Sequence, residues 1–390
     1  CYTMLLTNAR YEQSSGSTRG CFGMQRSLKL AAEHQTTKTP FLLMDRSLLK
    51  EKACEFDAFA GKCKVFYAAK ANADPAVLEC LSSTGIGFEI STQHELKLLN
   101  SVGIHAERII SSNPIKEPSF IKAMSKLGIR QFVFDSTAEA HKLAQYAPSS
   151  EVIVRLSVDN SGSSWPLADK FGVGPNSALA LLLFSRTLGL DPAGVTFHVG
   201  SQCPDLAAWQ KALELTSELW QQAAREGIHL RVLNIGGGFP AHHNQIIPSA
   251  HEIFELVFKQ VKRLFPPDIE LVAEPGRVLV ADAGTLVSTV IGTARREDGD
   301  WLYLDVGVFN GLMEAVGNVN YSFWLPPATM PERKWTIAGP SCDSLDVIAK
   351  GVNLREPNPG ERILIYPGGA YTTAYASRFN GAPIPKLVLA

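Results

Sequence analysis

Between Val65 and Ala273 the chain repeats one unit, a short apolar run of strand length followed by a stretch of helical periodicity. The runs are Val65 to Tyr67 (ending on Lys70), Gly87 to Ile90, Arg108 to Ser111, Gln131 to Phe134, Val152 to Leu156, Gly194 to Val199, Val232 to Ile235 and Ile269 to Ala273. Helix signals lie between them. Asp74 and Pro75 suit an N-cap and a first helical residue. Thr92 with Glu95, and Ser136 with Glu139, read as capping boxes. Pro118 to Leu127 stops at Gly128, and Ala207 to Glu226 is a long amphipathic stretch. Strands that alternate with helices predict a parallel sheet covered by helices. Eight such units in about 210 residues match the count and length of a (β/α)8 barrel. The alternative is a doubly wound open sheet. The polar residues favour the barrel. Lys70, Glu89, Arg155, His198, Gly236 and Glu274 all fall at or near strand ends, where barrels carry their chemistry.

The rhythm differs on either side. Pro40 to Met44 is a further apolar strand, and Asp45 behind it caps a helix carrying Leu48, Leu49, Ala53 and Phe56. After Glu274, Leu286 to Thr293, Trp301 to Val306, Lys334 to Ala338 and Arg362 to Tyr366 read as β segments parted by proline-rich loops. The expected organisation is an arm and strand over 1–39 that join a β domain, a barrel over 40–280, and a β domain over 281–390. A net charge of -1 argues against a nucleic-acid partner or a membrane surface. The apolar run Ala178 to Phe184 is far too short to span a bilayer. Seven scattered cysteines without metal spacing point to a reducing, cytoplasmic compartment. The chain begins at Cys1, so its true start stays open; 1–35, polar with several arginines and few acids, hint at a presequence but read rather as a loose arm.

Three clusters carry chemistry. Lys70 ends an apolar strand, and a desolvated lysine is a nucleophile toward carbonyls. Gly236-Gly237-Gly238 follows the seventh run, and Glu274-Pro275-Gly276-Arg277 follows the eighth. Exposed backbone N–H groups beside a guanidinium form a phosphate cradle, at the place where barrels commonly bind one. A phosphate cradle near a strand-end lysine suggests pyridoxal phosphate. Glu274 then suits the pyridine nitrogen, His198 the face of the ring, and Ser201 the phosphate. Alone, each has a plainer reading: a solvated lysine, a rim ion pair between Glu274 and Arg277, a core histidine. His242 and His243 point apart and have no third partner, so no metal site is expected. In the β segments, Cys342 and Asp343 share the turn Gly339 to Ser344, a thiol that can deliver a proton beside a carboxylate that can hold an ammonium. Tyr371 follows a glycine in Gly369 to Thr372, and Phe379-Asn380-Gly381 closes the chain.

From Pro40 to Pro385 the sequence resembles the fold-type III pyridoxal-phosphate decarboxylases, the ornithine/lysine, diaminopimelate and arginine group. The resemblance rests on Tyr67-Ala-Ala-Lys70-Ala-Asn72 and on the FHVGS, GGGF, EPGR, GPSCDS and GAYT segments, in family order. It implies Lys70 as the cofactor-bonding lysine, His198 stacked on the ring, Glu274 at the ring nitrogen, and Arg155 and Glu89 beside them. Ser201, Gly237, Gly238, Gly276, Arg277 and Tyr371 surround the phosphate. Cys342 is the implied proton donor, and Asp343, Asp305, Glu314 and Phe379 face the substrate. It further implies a homodimer with shared active sites, the Cys-Asp turn coming from the partner. Cys-Asp-Ser, Asp305 to Glu314 and Trp165 to Gly172 resemble the ornithine/lysine branch, so a basic amino acid is the expected substrate. Glu89 where the family commonly has Asp, and Ala382 after the Phe-Asn-Gly segment, leave room for a non-standard amine-bearing acid. A racemase and an inactive regulatory relative are the rivals. The first lacks an obvious second base, and the second sits badly with Lys70, Cys342 and Asp343 all present.

Overall fold

The computed structural model describes residues 18–165, 170–243, 245–326 and 328–390. Two compact units divide the chain. One holds Lys50–Pro240 and Ile247–Leu279, the other the described part of Cys1–Leu49, Ala241–Ile246 and Val280–Ala390.

The first unit is a barrel. Its strands are β2 (Lys64–Ala68), β3 (Gly87–Glu89), β4 (Ile109–Ile110), β5 (Gln131–Phe134), β6 (Glu151–Arg155), β7 (Asp191–Thr196), β8 (Val232–Asn234) and β9 (Glu270–Ala273); β1 (Phe41–Met44) lies elsewhere. The order β4-β3-β2-β9-β8-β7-β6-β5 is parallel throughout, and a bridge from Ser111 to Phe132 joins its two ends. That closure decides against the open sheet, because all eight runs find neighbours on both sides. Phe66, Val133, Ile153, Val232 and Val272 pack inside, with Ile110 against them. Branched and aromatic side chains thus occupy the barrel interior, with a small cavity left among Ile110, Val133, Ile153, Val232 and Val272.

Outside, the helices bury one stripe each. In Leu206–Arg225, Trp209, Ala212, Leu213, Thr216, Leu219, Trp220 and Ala223 recur at helical spacing and are buried. Phe254, on Ala250–Leu264, meets Phe56 and Phe239 with ring centroids 5.8 and 5.3 Å apart. Asp74 caps Pro75–Ser82 by accepting from the Ala76 N–H at 3.0 Å. Thr92 and Glu95 close a full capping box. Ser136 forms only half of one. It accepts from the Glu139 N–H, while the Glu139 carboxylate turns to Lys116 and Lys142, at 3.0 and 2.6 Å. A buried ammonium in need of a counter-ion outcompetes a helix cap. Ser249 and Glu252 form a capping box that the sequence reading passed over.

The second unit is a sheet of β10 (Gly284–Arg296), β11 (Gly299–Leu304), β12 (Ser322–Trp324), β13 (Glu332–Ala338), β14 (Val347–Arg355), β15 (Arg362–Tyr366) and β16 (Lys386–Leu389), joined by β1. Counting β1 within a barrel over 40–280 needs correction. It runs antiparallel to β10 and parallel to β16, and Phe41 and Leu43 pack with Val287 and Leu364. Four consecutive apolar residues suit any buried strand, so the run itself does not name its sheet. Within 1–39 the described element is a helix, Thr18–Glu33, whose Leu28, Leu30 and Ala31 cover that cluster. Residues 1–17 and 166–169 lie outside the described residues, and with them much of the arm and of the Trp165 to Gly172 segment.

Candidate active site

The strand ends of the barrel bring together titratable groups far apart in sequence. Lys70 sits in the turn Ala69–Ala71 behind β2. Its Nζ lies 3.1 Å from Oε2 of Glu89, which ends β3 and is 1% exposed. The other Glu89 oxygen faces the Ser91 hydroxyl at 3.3 Å and the Ser112 N–H at 3.4 Å. Glu274 follows β9 and is anchored by its N–H to Gly236 O at 2.8 Å. Its Oε1 accepts from Asn234 Nδ2 at 2.6 Å and from the Ser112 hydroxyl. Burial first, and then the charge of Glu89, push the Glu274 carboxyl above the usual carboxylate range.

His198 follows β7. Its Nδ1 accepts the Gly200 N–H at 3.0 Å, so the neutral ring carries its proton on Nε2. Burial, with Arg155 and then Lys70 nearby, holds this imidazole well below its usual value, and it is neutral near pH 7. Arg155, at the end of β6, lies 5.6 Å from the Phe171 ring centroid. Arg277 donates to the Ser201 hydroxyl at 3.3 Å, and these two form the cationic corner. Gly276 precedes Arg277 in the loop behind β9. Gly236 and Gly238 have φ of +65° and +104°, which side chains rarely adopt. A Cβ on Gly237 would stand 2.8 Å from Glu274 O and 3.0 Å from His198 Nε2, and one on Gly238 2.6 Å from Gly200 O. Only bare backbone fits here. The donor set of one amine, two buried carboxylates, a neutral imidazole and a guanidinium with a hydroxyl beside bare glycines fits an aromatic cation that carries a phosphate.

The remaining residues singled out from sequence belong to the second unit. Cys342 and Asp343 are exposed. The Cys342 thiol and its N–H both point to Asn380 Oδ1 at 3.3 Å. Asp343 Oδ1 accepts the Leu345 N–H at 2.8 Å, and no donor among the described residues takes its Oδ2. Asp346, 3% exposed, holds this turn, accepting from Val308 N at 2.7 Å and Ser341 N at 2.9 Å. Tyr371 has φ +56° and stacks on Tyr375 at 5.6 Å. Phe379 is exposed and packs on Phe309 at 4.7 Å, and Glu314 is buried in the turn Met313–Gly317. Asp305, just after β11, is held within the second unit. Its oxygens accept from Thr39 at 2.5 Å, Ser288 at 2.6 Å and Thr289 N at 2.9 Å, a brace between strands. His243 faces Asn320 O at 3.0 Å, and no cluster of three metal-binding side chains occurs among the described residues.

Sequence reasoning missed Ser112, Asn234 and Asp346, and gave Asn380 no role of its own. Asn234 stands two residues before the glycine run and Ser112 just past a strand end, so position alone could have flagged both.

Residues 46–281 match the family model described as the pyridoxal-dependent decarboxylase, pyridoxal binding domain. The chain belongs to that family. Among curated proteins it is 34% identical to a lysine/ornithine decarboxylase of Selenomonas ruminantium, over 88% of this chain and 87% of that one. It is 33% identical to antizyme inhibitor 2 of Xenopus laevis, over 87% and 78%. The lysine decarboxylase of Selenomonas ruminantium solved in complex with PLP and cadaverine superposes with a TM-score of 0.85 at 31% identity, over 97% of this chain and 95% of that one. Pyridoxal phosphate is therefore the family cofactor that the barrel end has to fit, and its donor set does so. No helix among the described residues is long and apolar enough to cross a membrane.

Proposed function

We propose that the chain decarboxylates a basic L-amino acid, ornithine or lysine first, to the amine and CO2. The observation that carries this is Lys70 facing buried Glu89 on the barrel rim that also holds Glu274, neutral His198 and the Arg277–Ser201 corner. Lys70 would hold the cofactor covalently. Arg277, Ser201 and the bare backbone of Gly237, Gly238 and Gly276 would hold its phosphate, with Tyr371 assigned there too. Once bound, pyridoxal phosphate supplies a sink for the electrons left behind by CO2. Glu274 keeps a hydrogen bond and a negative charge available at the ring nitrogen. His198, neutral and oriented by the Gly200 N–H, gives a flat uncharged face and does not compete for a proton. Arg155 adds positive charge beside it.

The second unit supplies substrate chemistry in this reading. The Cys342 thiol hands a proton to the carbon that has lost CO2. Asp343, whose Oδ2 takes no donor among the described residues, holds the distal ammonium. We infer that the working form is a homodimer in which the Cys342–Asp343 turn comes from the second copy. Burial pushes the thiols of Cys63 and Cys203 up and leaves them unreactive, so neither competes with Cys342 as a proton donor.

The test is CO2 release from ornithine, lysine, arginine, diaminopimelate and larger amine-bearing acids. Borohydride reduction of the loaded protein should then place the pyridoxyl label on the Lys70 peptide. Release from no basic acid, or label on another lysine, would sink the proposal. Similarity to an antizyme inhibitor supports a second reading, a relative that binds a partner and releases no CO2. A protein that neither takes up the cofactor nor turns over any acid of the panel would favour it.

A further inference from the structure

Glu274 is held by one oxygen. Asn234 Nδ2 reaches Oε1 at 2.6 Å, the Ser112 hydroxyl donates to the same atom, and no donor among the described residues reaches Oε2. The two donors come from different parts of the barrel. Asn234 ends β8, the neighbour of β9, whereas Ser112 follows β4, which β3 and β2 separate from β9.

Both donors are fixed. Asn234 is 2% exposed, and its Oδ1 accepts the Gly236 N–H at 2.8 Å. Rotating that amide would break both of its bonds. Ser112 is 7% exposed, and its backbone N–H points at Glu89. The preceding Ser111 is bridged to Phe132. Further along the loop, Lys116 Nζ donates to Asn113 O at 2.8 Å and Val133 O at 2.6 Å.

We infer that Ser112 and Asn234 are positioning residues that reserve Oε1 of Glu274 for the protein and present Oε2 to the ring nitrogen of the cofactor. The inference rests on the reading of the site given above. The reason is local. An oxygen that already accepts two hydrogen bonds is a poor seat for a proton, because one of those bonds would then be lost. A proton on Oε2 costs neither bond. The charged groups that act on Glu274 are Glu89, which opposes its ionisation, and Lys70, which favours it; Arg155 also lies in range, and His198 is neutral. In that balance the carboxyl can take or release a proton, and the two donors decide on which side it sits. Without them the carboxyl can rotate and carry its proton away from the ring.

The experiment loads the enzyme with pyridoxal phosphate labelled with 15N in the ring. The ring-nitrogen chemical shift is read together with kcat, KM and cofactor content. In the unaltered enzyme the shift should be that of a protonated nitrogen. Ser112→Ala and Asn234→Ala should each move it toward the unprotonated value. Each should lower kcat roughly ten- to a hundredfold, the worth of one hydrogen bond to a charged group. KM and cofactor content should stay within about twofold, since neither residue is among those assigned to substrate or phosphate. Ser112→Thr, which keeps the hydroxyl, should restore the shift and most of the rate. Ser111→Ala, one residue away with no bond to Glu274, should match the unaltered enzyme in both. Should Asn234→Ala not fold, the Ser112→Ala and Ser112→Thr pair decides alone. Unaltered kcat and ring shift in Ser112→Ala would overturn the inference while CO2 release by the parent enzyme upholds the function. A parent enzyme that takes up no cofactor would overturn both.

Discussion

A carboxylate at residue 274 does what no neutral isostere can, since it is the acidic group proposed to face the ring nitrogen. Glu274→Gln keeps the shape and the hydrogen bonding of Oε1 but loses the charge. We expect cofactor content to hold while kcat falls by about 10² to 10³, the range seen when one electrostatic stabiliser is lost. Near-normal turnover would make Glu274 a structural residue. Asp343 is exposed and spends one oxygen on the Leu345 N–H. Asp343→Asn should therefore leave cofactor affinity unchanged and raise KM for diamino acids, roughly tenfold or more, since the ammonium loses its counter-charge. An unmoved KM would mean that the substrate carries no distal amine.

The helix Thr137–Tyr146 and the loop behind β4 share one buried charge cluster. The Lys116 side chain is fully buried against Glu139, and burial lowers its ammonium to about 8 despite that carboxylate. In an unfolded chain it titrates near its ordinary 10.5. Between these two values the unfolded chain holds a proton that the native state has released, so this group adds stability as pH rises through that window. Below it, both states are protonated and the burial cost, about 3 kcal/mol, is present in full. Urea unfolding of Lys116→Met should show a shallower rise than the parent between about pH 8 and pH 10.5. Parallel curves would show that Lys116 titrates normally.

For the molecule as a whole the open point is assembly. Lys70 lies in the barrel unit and Cys342 in the β unit. If each site draws them from two different copies, Lys70→Ala and Cys342→Ala are complementary. Subunit exchange between equal amounts gives half heterodimers, each with one site lacking both residues and one with both intact, so about a quarter of all sites become whole. Activity near a quarter of the parent is the expected result. No recovery, with exchange shown independently by mass, would mean that each site is built within one chain.

Periodicity and the strand-end positions of the polar residues were legible without coordinates. A parallel barrel requires the βα alternation and concentrates reactive side chains at the strand ends, so all eight runs and the Lys70, Glu89, Arg155, His198 and Glu274 positions could be read from local pattern. The four-residue run Phe41–Met44 could not be assigned to its sheet, because an apolar strand pairs wherever a partner edge is presented, and β10 and β16 present one. Nor could Glu139, whose capping pattern yields to a buried lysine 23 residues away. The same holds for the braced Asp305 and for the two donors on Glu274. A helix cap or an amphipathic stripe is written within a few neighbouring residues. The partner of a buried charge is chosen by which strands the closed barrel brings together, and only the tertiary structure sets that distance.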